Sequence, residues 1–139
     1  MEYKVFGNTL ALRLDKGEEI VSSLKKVCEQ EKIRLGVVSA IGAVNHVVVG
    51  LYNVAQQQYH SNTFDRPFEL TALTGSVTTK EGEVYLHLHA TLADETGAAF
   101  GGHLNEAVVS ATCELFVQIV SGSIERRVDP DVGLNVFVF

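Results

Sequence analysis

Glu83-Val84-Tyr85-Leu86-His87-Leu88-His89-Ala90-Thr91-Leu92-Ala93, then Asp94-Glu95-Thr96-Gly97, then Ala98-Ala99-Phe100-Gly101-Gly102-His103-Leu104, is the stretch on which the fold of this chain turns. Val84, Leu86 and Leu88 alternate with Tyr85, His87 and His89, a period of two that marks a strand with leucines on one face and histidines on the other. The next four residues place Asp first and Gly fourth, the chemistry of a type I turn whose glycine takes the left-handed conformation of a bulged hairpin. Asp94 then pairs with Ala98, and the same register carried back sets His89 opposite His103. Opposite residues share a face, with β-carbons ~4.5–5.5 Å apart. His87 lies ~6.7 Å along the same face of its strand and completes a group of three imidazoles. Gly101 and Gly102 allow a close backbone approach or a bulge, and a one-residue slip there would carry His103 to the leucine face.

An H-x-H pair alone is weakly specific; the third histidine gives the pattern its meaning. Three neutral imidazoles converging on one point suit a divalent metal, with metal–nitrogen distances of ~2.0–2.1 Å. His87, His89 and His103 are therefore the candidate metal ligands, and zinc the candidate cofactor. With no fourth protein ligand apparent, a coordination position stays open, the arrangement in which zinc lowers the pKa of bound water to ~7. His46 and His60 fall outside the group and read as structural. Glu114, in an apolar run from Ala111 to Val117, is either a solvent-facing acid or a buried one paired with Arg13. No nucleophile elbow, P-loop or dinucleotide fingerprint is present.

Working outward, Leu10, Leu12 and Leu14 alternate with polar and small residues as a half-buried strand ending near Asp15. Asp15 and Glu18 form a candidate capping box. Ile20, Val21, Leu24, Val27 and Cys28 fall on one face of the helix that follows, with its stop at Gly36. Beyond it, β-branched and aromatic residues predict strands at Val37–Ile41, Val44–Asn53, Gln57–Thr63, Phe68–Thr79, Glu83–Ala93, Ala98–Leu104, Ala111–Val120 and Val136–Phe139. A second short helix is expected around Asn105–Val109 or Ile124–Val128. The fold class is α+β, a mostly antiparallel sheet flanked by one or two α-helices, with residues 1–139 in a single domain.

Composition narrows the function. A formal charge of −6 and the absence of a basic cluster argue against direct nucleic-acid binding, since Lys25-Lys26 and Arg126-Arg127 read as solvated faces. Cys28 and Cys113 are far apart and form no C-x-x-C, which fits a reducing, cytoplasmic setting. Charged residues break up the N-terminal segment, unlike a signal peptide, and no apolar run approaches the ~20 residues of a membrane span.

The chain resembles the PPC family (plants and prokaryotes conserved), whose domain follows an AT-hook in plant nuclear DNA-binding proteins. The resemblance rests on Leu12-Arg13-Leu14-Asp15-Lys16-Gly17-Glu18-Glu19, Ser39-Ala40-Ile41-Gly42-Ala43-Val44, Phe68-Glu69-Leu70-Thr71-Ala72-Leu73-Thr74-Gly75 and the histidine-bearing hairpin. It implies a homotrimer whose histidine motif, here His87, His89 and His103, is suited to zinc. Plant relatives use the segment equivalent to Arg66-Pro67-Phe68-Glu69-Leu70 to contact other nuclear proteins. Pro67 departs from that motif, and Phe68, Leu70 and Leu73 read as strand core. No R-G-R-P AT-hook occurs in these residues, so any transcriptional role is expected to run through protein partners. The leading expectation is a stand-alone, trimeric, metal-binding module with a binding or regulatory role. The alternative is a small metal-dependent hydrolase or lyase on the three-histidine site, with an acid such as Glu114 as base.

Overall fold

Alternation at Leu10, Leu12 and Leu14 does what a period of two dictates: all three side chains are buried, while Arg13 and Asp15 face out. The computed structural model describes residues 1–139. The elements run β1 (Glu2–Phe6), β2 (Thr9–Asp15), α1 (Ile20–Gln30), β3 (Gly36–Asn53), β4 (Gln58–Phe64), β5 (Phe68–Lys80), β6 (Glu83–Ala93), β7 (Ala99–Ile119), β8 (Glu125–Val128) and β9 (Asn135–Val138). All nine strands belong to one sheet, antiparallel except for a parallel contact of β8 with β5. Both segments expected to hold a second helix are strand instead, Asn105–Val109 within β7 and Ile124–Val128 around β8. In the first, Ala107 and Val109 are buried on one face of β7 where it pairs with β3; in the second, β8 pairs with β9 and touches β5.

Two strand pairs predicted separately fuse. β3 runs unbroken from Gly36 to Asn53 and β7 from Ala99 to Ile119, with bulges absorbing the interruptions. On one edge β3 pairs with β7; on the other it pairs first with β5 and then with β4. β7 pairs with β6 near its start and with β2 near its end. Because β6 also pairs with β5, the pairings β3–β5, β5–β6, β6–β7 and β7–β3 form a closed circuit.

Helix α1 buries Ile20, Leu24, Val27 and Cys28, the face predicted from its periodicity. Its cap differs from expectation. Glu19 is the N-cap, and its carboxylate accepts from the N–H groups of Val21 and Ser22 and from Ala107 on β7. Only half of the Asp15–Glu18 box forms: the Asp15 N–H donates to Glu18, while the Asp15 carboxylate holds the N-terminal ammonium at 2.6 Å. The helix stops before Gly36, at Glu31, with Lys32 in the left-handed region at φ 56°. The burial of Cys28 and Cys113 pushes their thiols up to about 12 and about 11, which makes them packing groups.

Glu19 thus joins the helix to the sheet as well as capping it. Glu19→Ala is expected to lower unfolding free energy by about 1–2 kcal/mol in denaturant titration, a larger loss than Asp15→Ala produces.

Candidate metal centre

The predicted register holds along the whole hairpin. His89 lies opposite His103, followed by Ala90 with Gly102, Thr91 with Gly101, Leu92 with Phe100 and Ala93 with Ala99. Gly97 turns the chain at φ 80°, and its N–H donates to the Asp94 carbonyl at 2.9 Å. The Asp94 carboxylate accepts from the Thr96 hydroxyl, the Thr96 N–H and the Ala98 N–H, which hold it below the usual carboxylate range. Glycine is required just before His103, where a β-carbon on Gly101 would collide with the Ala90 carbonyl and one on Gly102 would lie 2.6 Å from the Gly50 carbonyl oxygen. That close approach seats β7 between β6 and β3, with His103 opposite Gly50 on its second edge.

Leu88, Ala90 and Leu92 are buried in the core, so His87 and His89 point to the opposite face. Ring centroids are 5.2 Å apart for His87–His89, 5.3 Å for His87–His103 and 5.6 Å for His89–His103, a nearly equilateral triangle. One ring nitrogen from each lies within 4.8 Å of the others. No ring nitrogen of the three has a hydrogen-bond partner within the protein, although His87 and His103 are only partly exposed. Burial, followed by the charge of Arg126 and the neighbouring rings, lowers the His87 pKa. Burial and then His89 do the same for His103. Both effects favour the neutral imidazole, the form that binds metal.

Residues 1–121 match the sequence profile of the Plants and Prokaryotes Conserved (PCC) domain, also abbreviated PPC. The chain belongs to this family. The structure of a protein from Bacteroides thetaiotaomicron described as DNA-binding aligns over 99% of this chain and 96% of its own, with a TM-score of 0.97 and 33% identity. A metal-containing protein from Archaeoglobus fulgidus aligns over 99% and 97%, with a TM-score of 0.90 and 34% identity. A plant- and prokaryote-conserved protein from Pyrococcus horikoshii aligns over 99% and 95%, with a TM-score of 0.86 and 28% identity. The bifunctional protein GlmU of a Synechococcus strain is 30% identical over 128 residues, 88% of this chain but only 18% of its own length. The chain therefore spans about a fifth of the curated relatives it matches.

Other predicted residues lie elsewhere in the PCC fold. Glu114 faces Arg13 across β2 and β7, as one reading required, but Arg13 forms its ion pairs with Glu2 and Asp15 instead. It is also eleven residues along β7 from His103, on the order of 35 Å at strand rise, and cannot serve as base for the triad of its own chain. Phe68, Leu70 and Leu73 are core, and Arg66 stacks over Phe68 at 4.7 Å. No helix is long and apolar enough to cross a membrane. Arg126, read from sequence as part of a solvated face, is buried at 6% exposure. Nothing in Glu125-Arg126-Arg127 signals this, because the groups that cover it come from β5, β6 and β9.

His60 is exposed on β4, but His46 is tethered. Its Nδ1 contacts the Asp65 carboxylate and its Nε2 lies 3.7 Å from Glu106. The bond to Asp65, opposed by burial and aided by the charges of Asp65 and Glu106, raises its pKa above 6.5. The folded chain holds this proton more tightly than the unfolded chain. The stabilisation is therefore complete below the unfolded value of 6.5 and is lost as pH rises through the raised folded value. Wild type should exceed His46→Gln in urea midpoint below pH 6.5, and the advantage should shrink as the pH rises above it.

Proposed function

We propose that this PCC-domain chain is a trimeric, zinc-binding, cytoplasmic module with a binding or regulatory role, the metal held by His87, His89 and His103. The observation that carries the metal reading is the convergence of three ring nitrogens within 4.8 Å. Tetrahedral zinc with bonds of ~2.0–2.1 Å sets its ligands about 3.4 Å apart, a contraction within reach of small ring rotations. An all-imidazole donor set suits zinc better than the oxygen-seeking calcium or magnesium. The metal-containing Archaeoglobus relative supports the same reading at 34% identity.

A three-ligand zinc keeps an open position and supplies Lewis acidity to whatever oxygen occupies it. That open position favours a second reading, a small metal-dependent hydrolase or lyase. The reading now lacks its base, since Glu114 is remote. Besides the Arg126 guanidinium, the chain's own residues around the triad are hydroxyl and amide groups: Thr74 and Ser76 opposite His89 and His87, and Tyr59, edge-on to His103 and bonded to Asn105. These bind and orient; none is a proton acceptor matched to neutral pH. A binding role is the better fit.

Assembly finds support in Val37, Ile41 and Phe116, which leave 55%, 57% and 52% of their surface exposed on adjoining strands β3 and β7. Apolar groups gathered this way suit burial against further copies of the chain. The net charge of −6 favours association with DNA through protein partners rather than directly.

Protein purified without a tag should carry near-stoichiometric zinc by mass spectrometry, and His89→Ala and His103→Ala should both lose it. Wild type that takes up no metal after incubation with zinc would end the metal reading. Light scattering should give the mass of three 15.1 kDa chains, and Phe116→Glu should shift it toward one. A gel shift at low salt that fades steeply with added salt would instead revive direct DNA binding.

A further inference from the structure

Arg126 is the most deeply buried charge in the chain, and it has no acidic partner. Its residue is 6% exposed, with the guanidinium between the rings of Tyr85 and Phe137, 5.0 and 4.4 Å from their centroids. Nε donates to the Thr78 hydroxyl at 2.8 Å, Nη1 to the Asn135 carbonyl at 3.0 Å and Nη2 to the Ser76 hydroxyl at 3.3 Å. All three acceptors are neutral. No carboxylate lies within ion-pair distance, whereas Arg13 and Arg66 both have one. Guanidinium does not shed its proton in proteins, so the charge stays, and burying an unpaired charge costs several kcal/mol. Of its five N–H groups three are engaged, leaving two without an acceptor.

Its position gives that free charge a use. Ser76 stands directly opposite His87, and Thr78 opposite Tyr85, so the guanidinium lies on the histidine face beside the triad. Arg126 is carried by β8, which with β9 forms a hairpin beyond the residues that match the family profile. The hairpin reaches past the triad: Asn135 bonds the Tyr85 hydroxyl, and the turn at Gly133 packs on the hydroxyl of Tyr52, two residues from the Gly50 that faces His103. The Asn135 side-chain oxygen is buried with no partner.

We propose that Arg126 binds a carboxylate of a small-molecule ligand on the histidine face, with a second oxygen of that ligand directed to the triad. The second half rests on the metal reading above; the first does not. A carboxylate supplies the missing counter-charge and takes both free N–H groups in the bidentate geometry that guanidinium favours. The ligand class is a short acid with two oxygen functions, of which a dicarboxylate is the simplest.

The test is calorimetric titration of succinate and malonate, with succinamide as the uncharged counterpart, into zinc-loaded and metal-free protein whose metal content is measured beforehand. Wild type should bind a diacid and not the diamide. Arg126→Gln should bind it roughly tenfold or more weakly at unchanged zinc content. His89→Ala should weaken binding through loss of metal yet leave a remnant that Arg126→Gln abolishes. In case Arg126→Gln fails to fold, the Arg126 Nε–H resonance of wild type should shift on adding succinate. Equal binding of diacid and diamide, equal binding by wild type and Arg126→Gln, or an unmoved Nε–H resonance overturns the proposal. Failure of the protein to take zinc, with Arg126-dependent diacid binding intact in the metal-free protein, overturns the metal reading alone.

Discussion

Hydrogen bonding of β6 along both of its edges is the constraint on which the rest of the structure depends. β5 holds one edge and β7 the other, and β3 closes the circuit between them. A slip of β6 by one residue would turn Leu88 and Leu92 outward and bury imidazoles in their place. Each leucine lost from the core forfeits about 1.5–3 kcal/mol, and each unpaired imidazole buried adds a desolvation cost. The leucine face therefore fixes the histidine face. The triangle of His87, His89 and His103 is a consequence of core packing, already assembled before any ligand arrives.

Charge on that face runs opposite to charge on the whole. The chain carries −6, yet the histidine face has Arg126 with no counter-ion, and burial lowers the pKa of His87 and His103 toward the neutral form. A divalent cation on the imidazoles would add to the guanidinium rather than cancel it. The local field there favours anions, while the global field repels nucleic-acid backbones. Net charge thus bears on partners of the whole surface and not on what the histidine face admits.

The long strands explain how so few residues carry several pairings. β3 and β7 each serve different partners along their length, and their bulges fall between Gly42 and Val44, Val44 and His46, and Val48 and Val49. Asn45, Asn105 and Gly42, which resemble turn punctuation, sit inside or beside these irregular stretches and re-aim the strand without ending it. His46 emerges at one such bulge, where Asp65 and Glu106 receive it.

Local chemistry made much of the fold and the triad legible. The two-residue alternation of Val84 to His89, the Asp94–Gly97 turn and the single apolar face of α1 are set by neighbours within a few residues, and sequence alone determined them. The second helix expected near Asn105 or Ile124, and the separate strands on either side of Gly42 and Asn105, failed for the opposite reason. Short apolar segments follow whatever edge the sheet offers, and that edge belongs to distant residues. Glu114 and Arg126 show the same limit in the site. Chain proximity could not reveal that Glu114 lies far along β7, nor that Thr78, Tyr85 and Phe137 enclose Arg126. Burial is a property of what packs around a side chain, and for a charge so far along the sequence from its neighbours only the tertiary structure decides it.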